Sequence, residues 1–126
     1  MFEQSYTFHF EAAHELGANV EDKPDHPYGH IHGHSFEVTV TLAAEDVGET
    51  GWVMDFAALK EECARVHARL DHRFLNTIEG LERPTLENIA RYIHAVLSQS
   101  ITDLYAVEVA RPSLKERVKF CPVPGR

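Results

Sequence analysis

The chain has 126 residues, 44% of them hydrophobic, which suits one ordinary domain with a modest core and leaves no room for a second. Its formal net charge of −8 opposes a general nucleic-acid or anionic-membrane surface, because both are bound through a basic face. No stretch approaches the roughly 20 consecutive apolar residues of a membrane span, and the N-terminus lacks a signal-peptide pattern, so we expect a cytoplasmic protein.

Two strands are predicted in the first third of the chain. Apolar residues alternate with polar ones over residues 6–10 and again over residues 36–42, which is typical of half-buried strands. Continued by twos, the first pattern reaches His14; extended backwards, the second reaches His34 and His32. Side chains two apart project to the same side of a strand, so these histidines are expected to face the core.

Two helical patterns and a hairpin follow. The segment "GWVMDF" predicts a short third strand, and from Asp55, which can serve as N-cap, an apolar helical stripe runs to near "LDHRFLN". Thr85 can cap a second amphipathic helix, and "YAVEVA" and "RVKF" around the turn "RPSLKE" predict a final hairpin. This order predicts a single α+β domain, residues 1–126, with helices on one face of an antiparallel sheet.

The histidine pairing indicates a metal site. A catalytic zinc takes three protein ligands at about 2.0–2.1 Å and keeps one position open. His32 and His34 supply two rings on one side of a strand, whereas His30 would lie about 13 Å from His34 in an extended strand. The third ligand should therefore come from another strand, and His14 is the candidate. Histidines that only form hydrogen bonds are the alternative, and ligand type leaves iron, copper and nickel open.

Two other groups of residues could bind a ligand or transfer a proton. Asp71 and His72 could form a carboxylate–imidazole pair; the alternative is an ordinary helix end, where a histidine complements the dipole. Glu87 in "RPTLEN" could accept hydrogen bonds from the amidine-like edge of a ligand, or it could simply favour a helix N-terminus. Cys63 and Cys121 match no C-x-x-C spacing, so we expect reduced thiols.

The segments "FEAAHEL", "HGHSF", "GWVMDF", "LDHRFLN" and "RPTLEN", in this order, resemble the 6-pyruvoyl tetrahydropterin synthase and 6-carboxytetrahydropterin synthase family. The resemblance covers about residues 6–111. It implies a T-fold, an antiparallel four-stranded sheet with two helices on one face, whose subunits join edge to edge into a barrel. The barrel is a trimer, and two trimers commonly stack as a hexamer. Exposed edge strands in so small a sheet also favour a homo-oligomer.

The resemblance also implies a reaction. Such enzymes are zinc-dependent lyases acting on 7,8-dihydroneopterin triphosphate, and the 6-carboxytetrahydropterin branch belongs to queuosine-type biosynthesis. The three zinc histidines of the family match His14, His32 and His34 here. Its proton-relay pair matches Asp71 and His72.

The family's pterin pocket lies between subunits, and one of its acidic residues matches Glu87. Thr85, in the same segment, joins Glu87 among the expected substrate-binding residues.

Two positions depart from the family pattern. Tyr28 stands where members usually carry a catalytic cysteine, and a phenol is a weaker acid than a thiol. Arg111 stands where members commonly carry a glutamate that anchors the pterin, and a guanidinium donates hydrogen bonds but accepts none. Tyr28 is thus a candidate catalytic residue and Arg111 a candidate substrate-binding residue. Both favour two alternatives: a divergent enzyme acting on another pterin or purine-like ligand, and a non-catalytic zinc-binding protein.

Overall fold

The computed structural model describes residues 1–122, which form a single five-stranded sheet in the order β3-β1-β2-β4-β5 and two α-helices. The elements in chain order are β1 (Phe2–His14), β2 (His32–Ala44), α1 (Phe56–Leu70), β3 (Arg73–Phe74), α2 (Leu86–Leu97), β4 (Leu104–Arg111) and β5 (Glu116–Phe120). The four long strands are antiparallel neighbours, whereas β3 runs parallel to β1. The α+β prediction is confirmed. The sheet has one strand more than the four predicted. The additional strand is β3, which at two residues is too short to show a periodic pattern in the sequence.

The long hairpin of β1 and β2 sets the register of the sheet. The two strands pair along their whole length, from Phe2 opposite Ala44 to His14 opposite His32. Alternate residues are buried, because every second side chain points to the helices. The register therefore places all three predicted metal ligands at one end of the hairpin and on its buried face.

Both helices pack on that face. Each begins where the sequence predicts: Asp55 accepts a hydrogen bond from the Ala57 amide at 2.9 Å, and the Thr85 hydroxyl accepts one from the Asn88 amide at 3.1 Å. Their apolar stripes join the inward residues of the strands in one core. The largest buried side chains of this core include Phe10, Phe36, Leu42, Leu59, Leu70, Leu75, Leu81, Ile89, Ile93 and Leu97.

The prediction of a strand at "GWVMDF" is wrong. The segment is a turn and a bend, with Gly51 in the left-handed region at φ 79°. A side chain takes the place of a neighbouring strand: Gln4 donates its amide N–H to the Met54 carbonyl at 2.8 Å and accepts from the Met54 amide at 3.0 Å. The segment thus runs beside β1 without a backbone ladder, which the apolar run could not reveal.

Two edges of the sheet are open within residues 1–122. β3 pairs with β1 only at Ala12 and Ala13, so residues 2–10 of β1 have no paired strand on that side within the described residues, and β5 ends the sheet at the other side. Unpaired edges of this length can accept strands of other subunits. Edge-to-edge assembly into a barrel stays a prediction. No helix in the described part of the chain has the length and apolar character needed to cross a membrane.

Candidate metal centre and active site

His14, His32 and His34 form one cluster at the end of the β1–β2 hairpin. His14 and His32 are directly opposed in the register, and His34 lies two residues along on the same face. Their potential ligand atoms all lie within 4.8 Å of one another. The ring centroids are 4.6, 5.1 and 4.8 Å apart, with the rings edge to face. The structure therefore brings together the three histidines that strand parity singled out.

Hydrogen bonds to backbone carbonyls fix the orientation of two of these rings. His14 donates from Nδ1 to the Pro84 carbonyl at 2.9 Å, and His32 donates from Nδ1 to the His30 carbonyl at 2.7 Å. Because a carbonyl only accepts, Nδ1 must carry the proton in both rings, and Nε2 keeps its lone pair. Metal-binding histidines usually donate the N–H of the nitrogen that does not bind the metal to such an acceptor, which fixes the ring orientation.

Burial favours the neutral form of the His14 and His34 rings. Burial lowers the pKa of His34 to about 4, with further lowering from the charges of His14, Arg111 and His32. Burial also lowers the pKa of His14, although its hydrogen bond to Pro84 opposes the shift. A neutral imidazole is the form that binds a metal ion, so no proton has to be displaced at neutral pH.

The donor set fits a metal ion. His14 is fully buried, and the Nε2 atoms of His14 and His34 are buried with no hydrogen-bond partner among the described residues. Buried polar atoms are rarely left unpaired, since each costs free energy. Small ring rotations would bring atoms within 4.8 Å of one another to a common ion. Three imidazoles with an open fourth position are a ligand set typical of catalytic zinc.

Asp71 and His72 form a second group just after α1. His72 Nδ1 lies 2.8 Å from Asp71 Oδ2, and Asp71 Oδ1 accepts from the Glu11 amide at 2.9 Å. These bonds, the Glu11 bond first, hold the pKa of Asp71 below its ordinary value. The His72 amide also donates to the Glu11 carbonyl at 2.6 Å, and its backbone has φ 57°. One residue of β1 therefore positions both members of the pair, while Asp71 also serves as the C-cap of α1.

His34 and His72 line the same cleft. Its volume is about 540 Å³, and its walls are residues 11–13 of β1, 33–35 of β2 and 72–74 after α1. Ser35 donates its hydroxyl to Glu11 Oε2 at 2.6 Å on one wall. The cleft is large enough for a small heterocycle, and it is lined by one member of the histidine cluster and one member of the Asp71–His72 pair.

Residues 3–120 match the family model described as 6-pyruvoyl tetrahydropterin synthase. The chain belongs to this family. It is 39% identical over 123 residues to 6-carboxy-5,6,7,8-tetrahydropterin synthase of Synechocystis sp., an alignment that covers 91% of this chain and 90% of that protein. It is 35% identical to dihydroneopterin monophosphate aldolase of Pyrococcus furiosus, with the same coverage of both chains. Among solved structures, 6-pyruvoyl tetrahydropterin synthase of Caenorhabditis elegans aligns with a TM-score of 0.84 at 27% identity, over 97% of this chain and 96% of that one.

Tyr28, at the position of the usual family cysteine, lies beside the histidine cluster. Its ring centroid is 6.4 Å from that of His32 and 4.7 Å from that of His26. The side chain is 43% exposed, and its carbonyl accepts from the Leu16 amide at 2.6 Å. The position is therefore open to a ligand. Neither thiol replaces the missing one: Cys63 is buried in the core with its pKa raised by burial to about 11, and Cys121 follows β5.

The three predicted substrate-binding residues lie in different settings. Thr85 is the N-cap of α2, so its hydroxyl oxygen accepts from the helix while its O–H remains able to donate. Glu87 is exposed in the first turn of α2, where the helix dipole favours a carboxylate. Within this chain it is not part of the cleft wall. Arg111 ends β4 with its side chain only 13% exposed, and it lies close enough for its charge to lower the pKa of His14 and His34.

Sequence reasoning missed the residues that hold the histidines in place. Pro84, in the segment noted for Glu87, supplies the carbonyl that orients His14. Asn76, the last residue of "LDHRFLN", accepts from the Glu15 amide at 2.9 Å and donates to the Glu15 carbonyl at 2.9 Å, next to His14. Backbone carbonyls leave no mark in a sequence. Asn76 did offer a signal, since it closes a segment that carries the resemblance.

Proposed function

We propose that this chain is a zinc-dependent lyase that acts on 7,8-dihydroneopterin triphosphate or a closely related pterin. The observation that carries the proposal is the shared cleft, which is lined by His34 of the three-histidine cluster and by His72 of the oriented Asp71–His72 pair. The names of the Synechocystis and Caenorhabditis relatives support a tetrahydropterin synthase, of the 6-carboxy type that belongs to queuosine-type biosynthesis or of the 6-pyruvoyl type.

His14, His32 and His34 would hold zinc through their Nε2 atoms. The Nδ1 hydrogen bonds of His14 and His32 leave the Nε2 lone pairs of these two rings free for an ion. When bound, zinc supplies Lewis-acid polarisation of a hydroxyl or carbonyl oxygen on the pterin side chain.

Asp71 and His72 would move protons at the side-chain carbons. Asp71 accepts from His72 Nδ1, so it fixes the tautomer and leaves Nε2 to take a proton from a ligand. The low pKa of Asp71 keeps its carboxylate charged, and this charge would stabilise the imidazolium that forms. Tyr28 would be a second proton-transfer group on the side of His32.

The ligand ring would lie between subunits. Glu87 is exposed and does not line the cleft of its own chain, so a homo-trimer or hexamer is proposed in which Glu87, together with Thr85, reaches a neighbour's ligand. The open edges of β1 and β5 support such an assembly. We propose a cytoplasmic location for the protein.

The test is incubation of zinc-loaded protein with 7,8-dihydroneopterin triphosphate, followed by mass spectrometry of the products. Loss of triphosphate, with or without loss of a two-carbon aldehyde, is expected. A verified active relative under the same conditions is the control. No product from this chain beside full turnover by the control would refute the proposal and favour a non-catalytic zinc protein.

A second candidate is an aldolase acting on a pterin monophosphate. The absence of the usual cysteine at Tyr28 favours it, and so does the 35% identity to a protein named dihydroneopterin monophosphate aldolase. The same incubation with 7,8-dihydroneopterin monophosphate, phosphorylated on the terminal side-chain hydroxyl, distinguishes the two. Only an aldolase would cleave the side-chain carbon–carbon bond and release the two-carbon aldehyde with its phosphate ester intact, leaving a phosphate-free pterin.

A further inference from the structure

Arg111 lies on the core face of the sheet, at the end that carries the histidines. Val107 and Val109 of the same strand are fully buried in the core, and Arg111 continues their parity. Val109 is opposite Val38 in the register. One step beyond the last pair, Arg111 therefore stands beside Phe36, whose ring centroid is 5.5 Å from that of His34.

The guanidinium is a largely buried cation beside the proposed ligand site. Its side chain is 13% exposed, although arginine is among the residue types that are seldom buried without a partner. The effect of its charge on the pKa of His14 and His34 agrees with its position in the register. The strand thus directs a positive charge towards the histidine cluster and not towards open solvent.

The charge is only partly satisfied. Glu116, opposite Arg111 in the β4–β5 hairpin, has Oε1 3.0 Å from Arg111 Nε, yet the N–H does not point at this oxygen, and Nε is buried without a hydrogen bond among residues 1–122. The neighbouring pair of the same hairpin differs: Arg117 donates to Glu108 at 2.7 Å with good geometry on the outer face. A guanidinium carries five donors in a planar fork, so Arg111 keeps donors for another acceptor.

We propose that Arg111 binds an oxyanion of the ligand, a phosphate or a carboxylate carried by the pterin. The proposal rests on the proposed function, since it takes the ligand to be a pterin held near the histidines. A planar guanidinium makes paired hydrogen bonds with phosphate and carboxylate oxygens, and a neutral, donor-rich pterin ring offers it much less. Arg111 would therefore select anionic pterins over neutral ones.

The competing explanation is structural: Arg111 and Glu116 close the hairpin and never touch a ligand. This explanation predicts that removing the guanidinium lowers stability and weakens all ligands alike. If Arg111 binds the ligand, its removal should change the selectivity between anionic and neutral pterins. A purely structural residue would not produce this change.

The experiment measures equilibrium binding of four probes to the full chain with excess zinc, by pterin fluorescence or calorimetry. The probes are 7,8-dihydroneopterin, its monophosphate, its triphosphate and 6-carboxypterin. The variants are Arg111→Gln, Arg111→Lys and, as matched control on the same hairpin, Arg117→Gln. Thermal unfolding of each variant reports folding, and Arg111→Lys keeps the charge should Arg111→Gln unfold.

We expect the wild type to bind phosphorylated or carboxylated probes more tightly than dihydroneopterin. Arg111→Gln should lower the affinity for the anionic probes by about ten- to a hundredfold and change the affinity for dihydroneopterin by no more than about twofold. The affinities of Arg111→Lys should fall between those of the wild type and Arg111→Gln. Arg117→Gln should match the wild type. Preference between phosphate and carboxylate identifies which oxyanion is bound. The inference would be overturned if the wild type binds pterins tightly and Arg111→Gln either leaves the affinities unchanged or lowers them equally for all probes. The proposed function would stand in that case. No binding of any probe to the wild type would overturn the proposed function together with the inference.

Discussion

Phe36 is expected to support the three-histidine metal centre by packing against two of its rings. Its ring is fully buried and makes edge-to-face contacts with His14 at 5.7 Å and His34 at 5.5 Å between centroids. It also stacks on Phe10, opposite it in the register, at 5.0 Å. Replacing Phe36 with leucine would keep an apolar side chain but remove the flat surface against which both imidazoles rest.

The matched variant is Phe10→Leu. Both rings have no exposure, and either substitution removes the same stacked pair, so the losses in core packing are alike. Each should lower the free energy of unfolding by about 1–2 kcal/mol through partial cavity formation. For a chain of 126 residues this corresponds to a fall in melting temperature of about 3–10 °C. Only Phe36→Leu should also weaken zinc binding, by about tenfold, because ring orientation is then less well fixed.

Urea unfolding of the metal-free variants and zinc competition titrations of both would measure the two effects separately. Equal zinc affinity in Phe36→Leu and Phe10→Leu would refute the supporting role of Phe36. A stability loss below about 0.5 kcal/mol in both would refute the packing argument itself.

The remaining predictions concern titration, metal binding and proton transfer. Because the pKa of His34 is about 4, the folded metal-free chain leaves this ring neutral while the unfolded chain protonates it near pH 6.5, so stability should be lost as pH falls between these values. The full shift corresponds to about 3.4 kcal/mol, which solvent around the partly exposed ring reduces to about 1–2 kcal/mol. Urea midpoints at pH 7 and 4.5 should show a smaller acid loss in His34→Gln than in the wild type, with the exposed-site variant His30→Gln behaving as wild type; equal losses in all three would contradict the assignment. His32→Ala should abolish stoichiometric zinc binding by elemental analysis, whereas His30→Ala should retain it, since only the backbone carbonyl of His30 contacts His32. Asp71→Asn should lower kcat by about 10²- to 10⁴-fold at nearly constant KM, because an amide can still accept from the Glu11 amide but cannot hold the His72 tautomer; unchanged kcat would remove Asp71 from the reaction.

Short elements and irregular segments show where prediction from sequence fails. The two-residue strand β3 exists because α1 ends beside Ala12 and Ala13 of β1, not because Arg73 and Phe74 favour a strand. The prediction of a strand at "GWVMDF" was wrong because this segment pairs with no strand within residues 1–122. Its backbone is bonded by the side chain of Gln4 instead. In both cases the neighbour that decides the local structure lies about 50 or more residues away in the chain.

Periodicity by itself determined the two long strands, the two capped helices and the inward direction of His14, His32 and His34, because alternation and helical spacing express which side chains leave water. Order and spacing of the motifs also determined the family. The tertiary structure alone decided how the site is held. It brought the Pro84 carbonyl to His14, the Glu11 backbone to Asp71 and His72, and Arg111 to the edge of the histidine cluster. These contacts join residues far apart in the chain, and several use backbone atoms that every residue possesses, so only packing could select them.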